Sequence, residues 1–215
     1  MPGLAKPPSK RDNRPLSHFQ PGTSMTEEET TMAEKEEEIL VLFGSQRGTS
    51  EDAARAFAKE APQRLNVKVK IVEMDDFLES PSWRTVVVIF VSSFGTGGAP
   101  MGAQAFRKFC DRVITDYTDN QDKDGFLKGI YIAMCGQGDS KYQTYQENPK
   151  TIVKALTMAG AELVGDVGAT DAENRMKQQE EIRQWIETIW DPLSKVLADA
   201  PLAEDRLQEM NMNTK

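Results

Sequence analysis

The apolar positions of this chain fall into short unbroken runs separated by stretches of helical spacing. The first run, residues 39–43 (ILVLF), breaks at Gly44 into small and polar residues before a helical pattern opens at Ser50. Unbroken runs of this length predict strands buried on both faces. Residues 85–91 (TVVVIFV) form the most continuous run and are expected at the centre of a sheet. Residues 67–72 instead alternate, with Lys68 and Lys70 outward, and predict an edge strand. Residues 129–134 and 162–167 supply the fourth and fifth strands. Helices are predicted over 50–62, from about 99 to 117, over 149–159 and from 172 to about 197, with 81–83 as a turn or short helix and 120–125 as a polar loop. Apolar residues at helical spacing carry these helices: Phe106, Phe109, Cys110 and Val113 in one, Ile182, Trp185, Ile186 and Ile189 in another. Strands alternating with helices, without internal repeats, predict an α/β fold with a five-stranded parallel sheet covered on both faces. Ligands in such sheets bind beyond the carboxyl ends of the strands, which directs attention to the loops after strands one, three and four.

Residues 1–37 change the picture only at the margin. Rich in Pro, Ser, Thr, Lys and Glu and poor in large apolar residues, they are expected to be disordered, with Met25 as an alternative start. The domain is expected over 38–198, followed by a polar tail at 199–215. The single histidine, His18, lies in the N-terminal tail, which removes histidine catalysis or ligation from the core. No apolar run approaches the roughly 20 residues of a membrane helix, and the first residues lack a signal-peptide core. Two cysteines in 215 residues give no disulfide framework, so a reducing, cytoplasmic setting is expected. Cys110 reads as inert core, and Cys135, at the end of strand four, as packing rather than a redox thiol. A net charge of −8 argues against nucleic acid and anionic membrane, and mildly for a basic partner.

The three loops share a composition rich in Gly and Ser. Loop one is GSQRGTS: Ser45, Gln46, Arg47, Gly48, Thr49 and Ser50 lie at a strand–helix junction, where backbone N–H groups and about half a positive charge converge. It lacks the lysine of a nucleoside-triphosphate loop and the GxGxxG of a dinucleotide site, which leaves an anion nest suited to a monophosphate. Arg47 either neutralises that anion or points to solvent. Loop two, SSFGTGGAP over 92–100, offers Ser93, Phe94, Gly95, Thr96 and Gly97, with glycines that admit a flat ligand and an aromatic able to stack on it. Loop three, CGQGDSKYQTY over 135–145, adds Gly136, Gln137, Gly138, Asp139, Tyr142 and Tyr145. One anion nest and two aromatics on the same sheet edge point to a planar ring with a monophosphate tail.

In this order and spacing, FGSQRGTSE, SSFGTGGAP and CGQGDSKYQTY resemble the FMN-binding, flavodoxin-like domain of the diflavin reductases. The resemblance covers about residues 39–193 and implies a doubly wound sheet of order 2-1-3-4-5. It implies FMN as cofactor, with residues 45–50 on the phosphate. Phe94 and Tyr142 would lie on the two ring faces, Gly95 would present a carbonyl to a ring nitrogen, and residues 136–139 would hold the ring edge. Asp171 matches an acidic position near the flavin, although Thr170 stands where a second acid is often found, and Phe94 stands where the family usually has Tyr. The implied role is electron transfer, from an FAD/NADPH-binding reductase module or protein to a redox acceptor with a basic face, such as a heme protein. No FAD or NADPH module is read in the rest of the chain, so an excised domain and a stand-alone carrier both remain open. The acidic residues Asp111, Asp116, Asp119, Asp122, Asp124, Asp171 and Glu173 are either solvated surface or a docking face. Three rivals share the architecture. A flavin-dependent quinone-type reductase would need substrate-pocket residues that are not read here. A phosphoacceptor receiver would need acids where Gly44, Ser45, Ser92 and Ser93 stand. A cofactor-free scaffold would be colourless.

Overall fold

The computed structural model describes residues 37–120 and 125–199. All but the last residue of the segment 1–37 expected to be disordered lies outside the described residues, as do His18, Met25, Asp122, Asp124 and the tail from residue 200. Eleven elements follow in order: β1 (Glu38–Gly44), α1 (Thr49–Leu65), β2 (Lys68–Glu73), α2 (Met74–Glu79), β3 (Val86–Ser92), α3 (Gln104–Asp119), β4 (Tyr131–Gly138), α4 (Glu147–Met158), β5 (Glu162–Leu163), β6 (Gly168–Asp171) and α5 (Arg175–Asp199). The strands pair in parallel in the order β2-β1-β3-β4-β5, and β6 pairs with β4 beyond the end of β5.

Alternation along the buried strands explains the two cores. Leu40 and Leu42 of β1 face one layer, with Val87 and Ile89 of β3 and the inner sides of α2, α3 and α4. Ile39 and Val41 face the other, with Val88 and Phe90 and the inner sides of α1 and α5. A strand covered on both sides has no polar face, hence the continuous apolar runs. Trp185 and Trp190 anchor the second layer, Trp190 stacked on Phe57 at 4.7 Å and Trp185 edge-on to Phe90 at 5.6 Å. At the sheet edge, Lys68 and Lys70 are exposed, as the alternation of β2 predicts. Among the described residues no helix is long and apolar enough to cross a membrane.

Several boundaries differ from the sequence reading, each for a local reason. α1 runs through Pro62 and stops at Asn66, whose left-handed backbone (φ 53°) lets its N–H reach the Pro62 carbonyl. α2 was hidden in a six-residue stretch with only Met74 and Phe77 buried. α3 starts at Gln104 rather than near 99, because its first turn is capped from elsewhere: Asp75 accepts from the Gln104 and Phe106 N–H groups at 3.0 and 2.9 Å. The fifth strand is split, since Gly165 takes φ +65° and carries the chain out of the pleat between β5 and β6. The most consequential difference is at β4, which continues to Gly138. Gly136, Gln137 and Gly138 are therefore strand residues paired to Ala169, Thr170 and Asp171, not members of a loop.

Candidate functional site

The carboxyl ends of β1, β3 and β4 open onto one cleft of about 390 Å³, within the range of small-molecule and cofactor sites. Its wall nearest β1 is loop one. Gly48 adopts φ +86° and precedes α1 without a side-chain cap, while Ser45 Oγ accepts the Ser50 N–H at 3.2 Å. Gln46 Oε1 accepts the Met101 N–H at 3.0 Å and ties this loop to the segment after loop two. A helix start of this kind can present first-turn N–H groups to an anion. The nearby acid Glu51 is engaged by Arg55 at 2.7 Å.

Loop two is held open by the buried Asn148 at the start of α4. Its backbone N–H donates to Ser93 Oγ at 3.1 Å and its Nδ2 to the Ser92 carbonyl at 2.9 Å. Phe94 and Gly98 exchange both backbone hydrogen bonds at 3.0 Å, so the intervening turn projects the Phe94 ring outward. Gly95 sits at φ +58°, and its carbonyl accepts Thr144 Oγ1 at 3.4 Å across the cleft.

In loop three, short backbone turns fix the second aromatic: the Tyr142 N–H donates to the Asp139 carbonyl at 3.1 Å, and the Tyr145 N–H to the Tyr142 carbonyl at 3.0 Å. Phe94 and Tyr142 remain 47% and 62% exposed, two unburied rings beside one cleft. Burial pushes the Cys110 thiol up to about 12 and raises that of Cys135 as well, so both stay protonated and unreactive, as packing residues should.

The cleft brings together Ser45, Gln46, Arg47, Thr49, Ser50, Ser93, Phe94, Gly95, Gln137, Gly138, Asp139, Tyr142 and Tyr145. Gly48, Thr96, Gly97, Gly136 and Asp171 do not line it. Gly48 shapes the nest from behind, and Gly136 lies within the sheet. Ser92, Thr144, Ala172 and Gln178 line the cleft and were not singled out. Gln178, on an otherwise polar stretch of α5, carried no signal, because only the split of the last strand brings that helix start to the cleft.

Asp171 instead pins loop three to the β6 end. Its Oδ1 accepts the Ser140 and Glu173 N–H groups at 3.0 Å, and its own N–H donates to Glu181 at 2.9 Å. Hydrogen bonds from Ser140, then from the Glu173 N–H, hold its carboxyl below the usual aspartate value. A depressed native pKa means that the tether is present above the ordinary value near 3.9 and is lost as pH falls through the lowered one. The Ser140 and Glu173 amide resonances are expected to titrate together with a midpoint below 3.9. A shared midpoint at or above that value would show that the tether does not exist.

A doubly wound parallel sheet whose strand ends combine a glycine-led helix start with two exposed aromatic rings defines a domain built to hold a phosphorylated, planar cofactor. The chain belongs to the flavodoxin family, whose model matches residues 41–185. In sequence it is similar to an NADPH-dependent diflavin oxidoreductase of Arabidopsis thaliana, 30% identical over 77% of this chain and 26% of the relative. It is also similar to the NADPH–cytochrome P450 reductase of Saccharomyces cerevisiae, 30% identical over 77% of this chain and 23% of the relative. The chain thus spans about a quarter of the length of these curated relatives. In structure it overlays a flavodoxin mutant from Pseudomonas aeruginosa with a TM-score of 0.57 at 17% identity, covering 73% of this chain and 98% of the other. It is a flavodoxin-like FMN domain, homologous to those of the diflavin reductases. The residues present fit FMN: a helix start that begins at a left-handed glycine, two exposed rings, and a buried amide, Gln137 Nε2, with no partner among the described residues.

Proposed function

We propose that this domain is a one-electron relay: its cleft would hold FMN and connect an FAD/NADPH-binding reductase module or protein, as electron donor, with an acceptor protein that has a basic face, such as a heme protein. The observation that carries the reading is the single cleft uniting the anion nest of loop one with the exposed rings of Phe94 and Tyr142. When bound, FMN supplies the redox chemistry, and the side chains bind and orient it. Residues 45–50 cradle the phosphate. Phe94 and Tyr142 cover the ring faces, and Asp139 with the Gly138 backbone borders the ring edge. The acids beside the cleft, Asp139, Glu147, Asp171 and Glu173, together with the net charge of −8, suit a basic docking partner. The electron-transfer unit is proposed to span 38–198, and the two buried free thiols suit a reducing, cytoplasmic setting.

Titrating the purified apo chain with FMN tests the reading. A yellow complex that survives gel filtration, with riboflavin held much more weakly, is expected because the phosphate meets the helix start. A chain that stays colourless under excess FMN would leave the cofactor-free scaffold as its function.

A further inference from the structure

Three buried side-chain polar atoms have no hydrogen-bond partner among the described residues: Gln137 Nε2, Gln146 Oε1 and Trp190 Nε1. Only Gln137 lines the cleft. The residue is 1% exposed and firmly held. Its carbonyl accepts the Ser93 N–H at 2.8 Å, and its Oε1 accepts the Ser50 hydroxyl at 3.0 Å. The two amide N–H groups are left without an acceptor, an arrangement that folded proteins avoid unless a ligand or water completes it.

The position of this amide says what completes it. On one side stands Ser50, in the first turn of α1 behind the anion nest. On the other stands Ser92, the register partner of Gln137, two residues before Phe94. Across the cleft, Gln178 holds Thr170 through its Nε2 at 3.5 Å. Gln137 therefore sits between the helix start of loop one and the loop that carries Phe94. Resting on the FMN reading above, we infer that Gln137 recognises the hydroxylated linker of the flavin: its amide donates to a ribityl hydroxyl oxygen, which makes the middle of the cleft a polyol subsite. A hydroxyl both donates and accepts, so the match holds whichever end of the amide faces it. The Ser50 hydroxyl orients the amide and is a positioning group.

Three ligands separate this role from its alternatives: FMN, riboflavin, which lacks the phosphate, and lumiflavin, which lacks phosphate and linker. Each is titrated into the full apo chain and into Gln137→Leu, with thermal melting of the ligand-free proteins alongside. The substitution should weaken FMN and riboflavin by the same factor, about three- to ten-fold, and leave lumiflavin unchanged. Ligand-free Gln137→Leu loses a donor that had no partner but strands the buried Ser50 hydroxyl, so any fall in its melting temperature should be recovered when Ser50 is changed as well. The double variant Ser50→Ala with Gln137→Leu removes both polar groups at once and should repeat the pattern if the stranded Ser50 hydroxyl harms the single variant. Loss for FMN alone would move the amide to the phosphate and overturn the inference. Equal loss for all three ligands would do so by assigning Gln137 to the ring or the fold, and so would no loss at all. A wild-type chain that binds none of the three removes the FMN reading, and this inference with it.

Discussion

Tyr142→Ala weakens FMN binding by about 10- to 100-fold and leaves the melting temperature of the apo protein almost unchanged. The two halves of this expectation have one cause. Tyr142 is 62% exposed and Phe94 47% exposed, and neither ring packs on another aromatic among the described residues, so the fold loses little when either is cut back. A bound isoalloxazine would bury both rings, and covering and stacking on one aromatic face contributes about 1–3 kcal/mol. The rings are also already placed: Tyr142 between turns anchored on Asp139 and Tyr145, Phe94 by its paired bonds to Gly98. Placement before binding lowers the ordering cost that the ligand must offset. Phe94→Ala should act in the same direction with a smaller loss, its ring being the less exposed, while Phe94→Tyr should keep the affinity. Quenching of FMN fluorescence on titration measures the effect. Affinities within two-fold of wild type in both alanine variants would remove the rings from the flavin faces.

How far the sequence carried depends on the kind of signal each feature left. The parallel sheet and its two-sided covering were written in residues 39–43 and 85–91, because a strand buried on both faces can carry no polar position. The strand–helix junction at residues 44–50 was legible too, since an apolar run that breaks at a glycine into small polar residues marks the end of a strand and the start of a helix. What escaped notice depends on pairing across the chain. The extension of β4 through Gly138 is made by β6, some thirty residues later, and no local pattern of CGQG announces it. The start of α3 is set by the Asp75 carboxylate, from a helix that the sequence reading did not contain. Resemblance places Asp171 near the flavin, whereas its carboxylate does not line the cleft and instead holds the Ser140 and Glu173 N–H groups.

Gly136 follows from the same long-range pairing, and it sets a large expected effect on stability. Its backbone is ordinary strand, so the requirement for glycine is a matter of room rather than of dihedral angle. A Cβ built there would run into Gln146 Oε1 and would lie 2.8 Å from Pro149 Cβ and 2.9 Å from Pro149 Cγ. Neither neighbour yields easily. Gln146 is buried with φ 63° and donates Nε2 to the carbonyls of Gly136 and Thr170, at 3.1 and 3.4 Å, and the Pro149 ring is rigid in the first turn of α4. Overfilling such a contact costs about 1–3 kcal/mol for small additions, so a valine should reach the upper end or beyond. Gly136→Val is expected to lower the melting temperature by about 6–12 °C, at roughly 2–4 °C per kcal/mol for a domain of this size. The damage should also reach the site, because a displaced α4 start moves Asn148 and with it the Ser92 and Ser93 anchors of loop two. Gly48→Ala is the informative control: at φ +86° with nothing within 4 Å it meets only backbone strain, about 1 kcal/mol, and should shift the melt by a few degrees. If Gly136→Val melts as close to wild type as Gly48→Ala, the strand–helix contact at Gln146 and Pro149 is looser than its distances imply, and the rigid mounting of loop two on α4 would have to be abandoned.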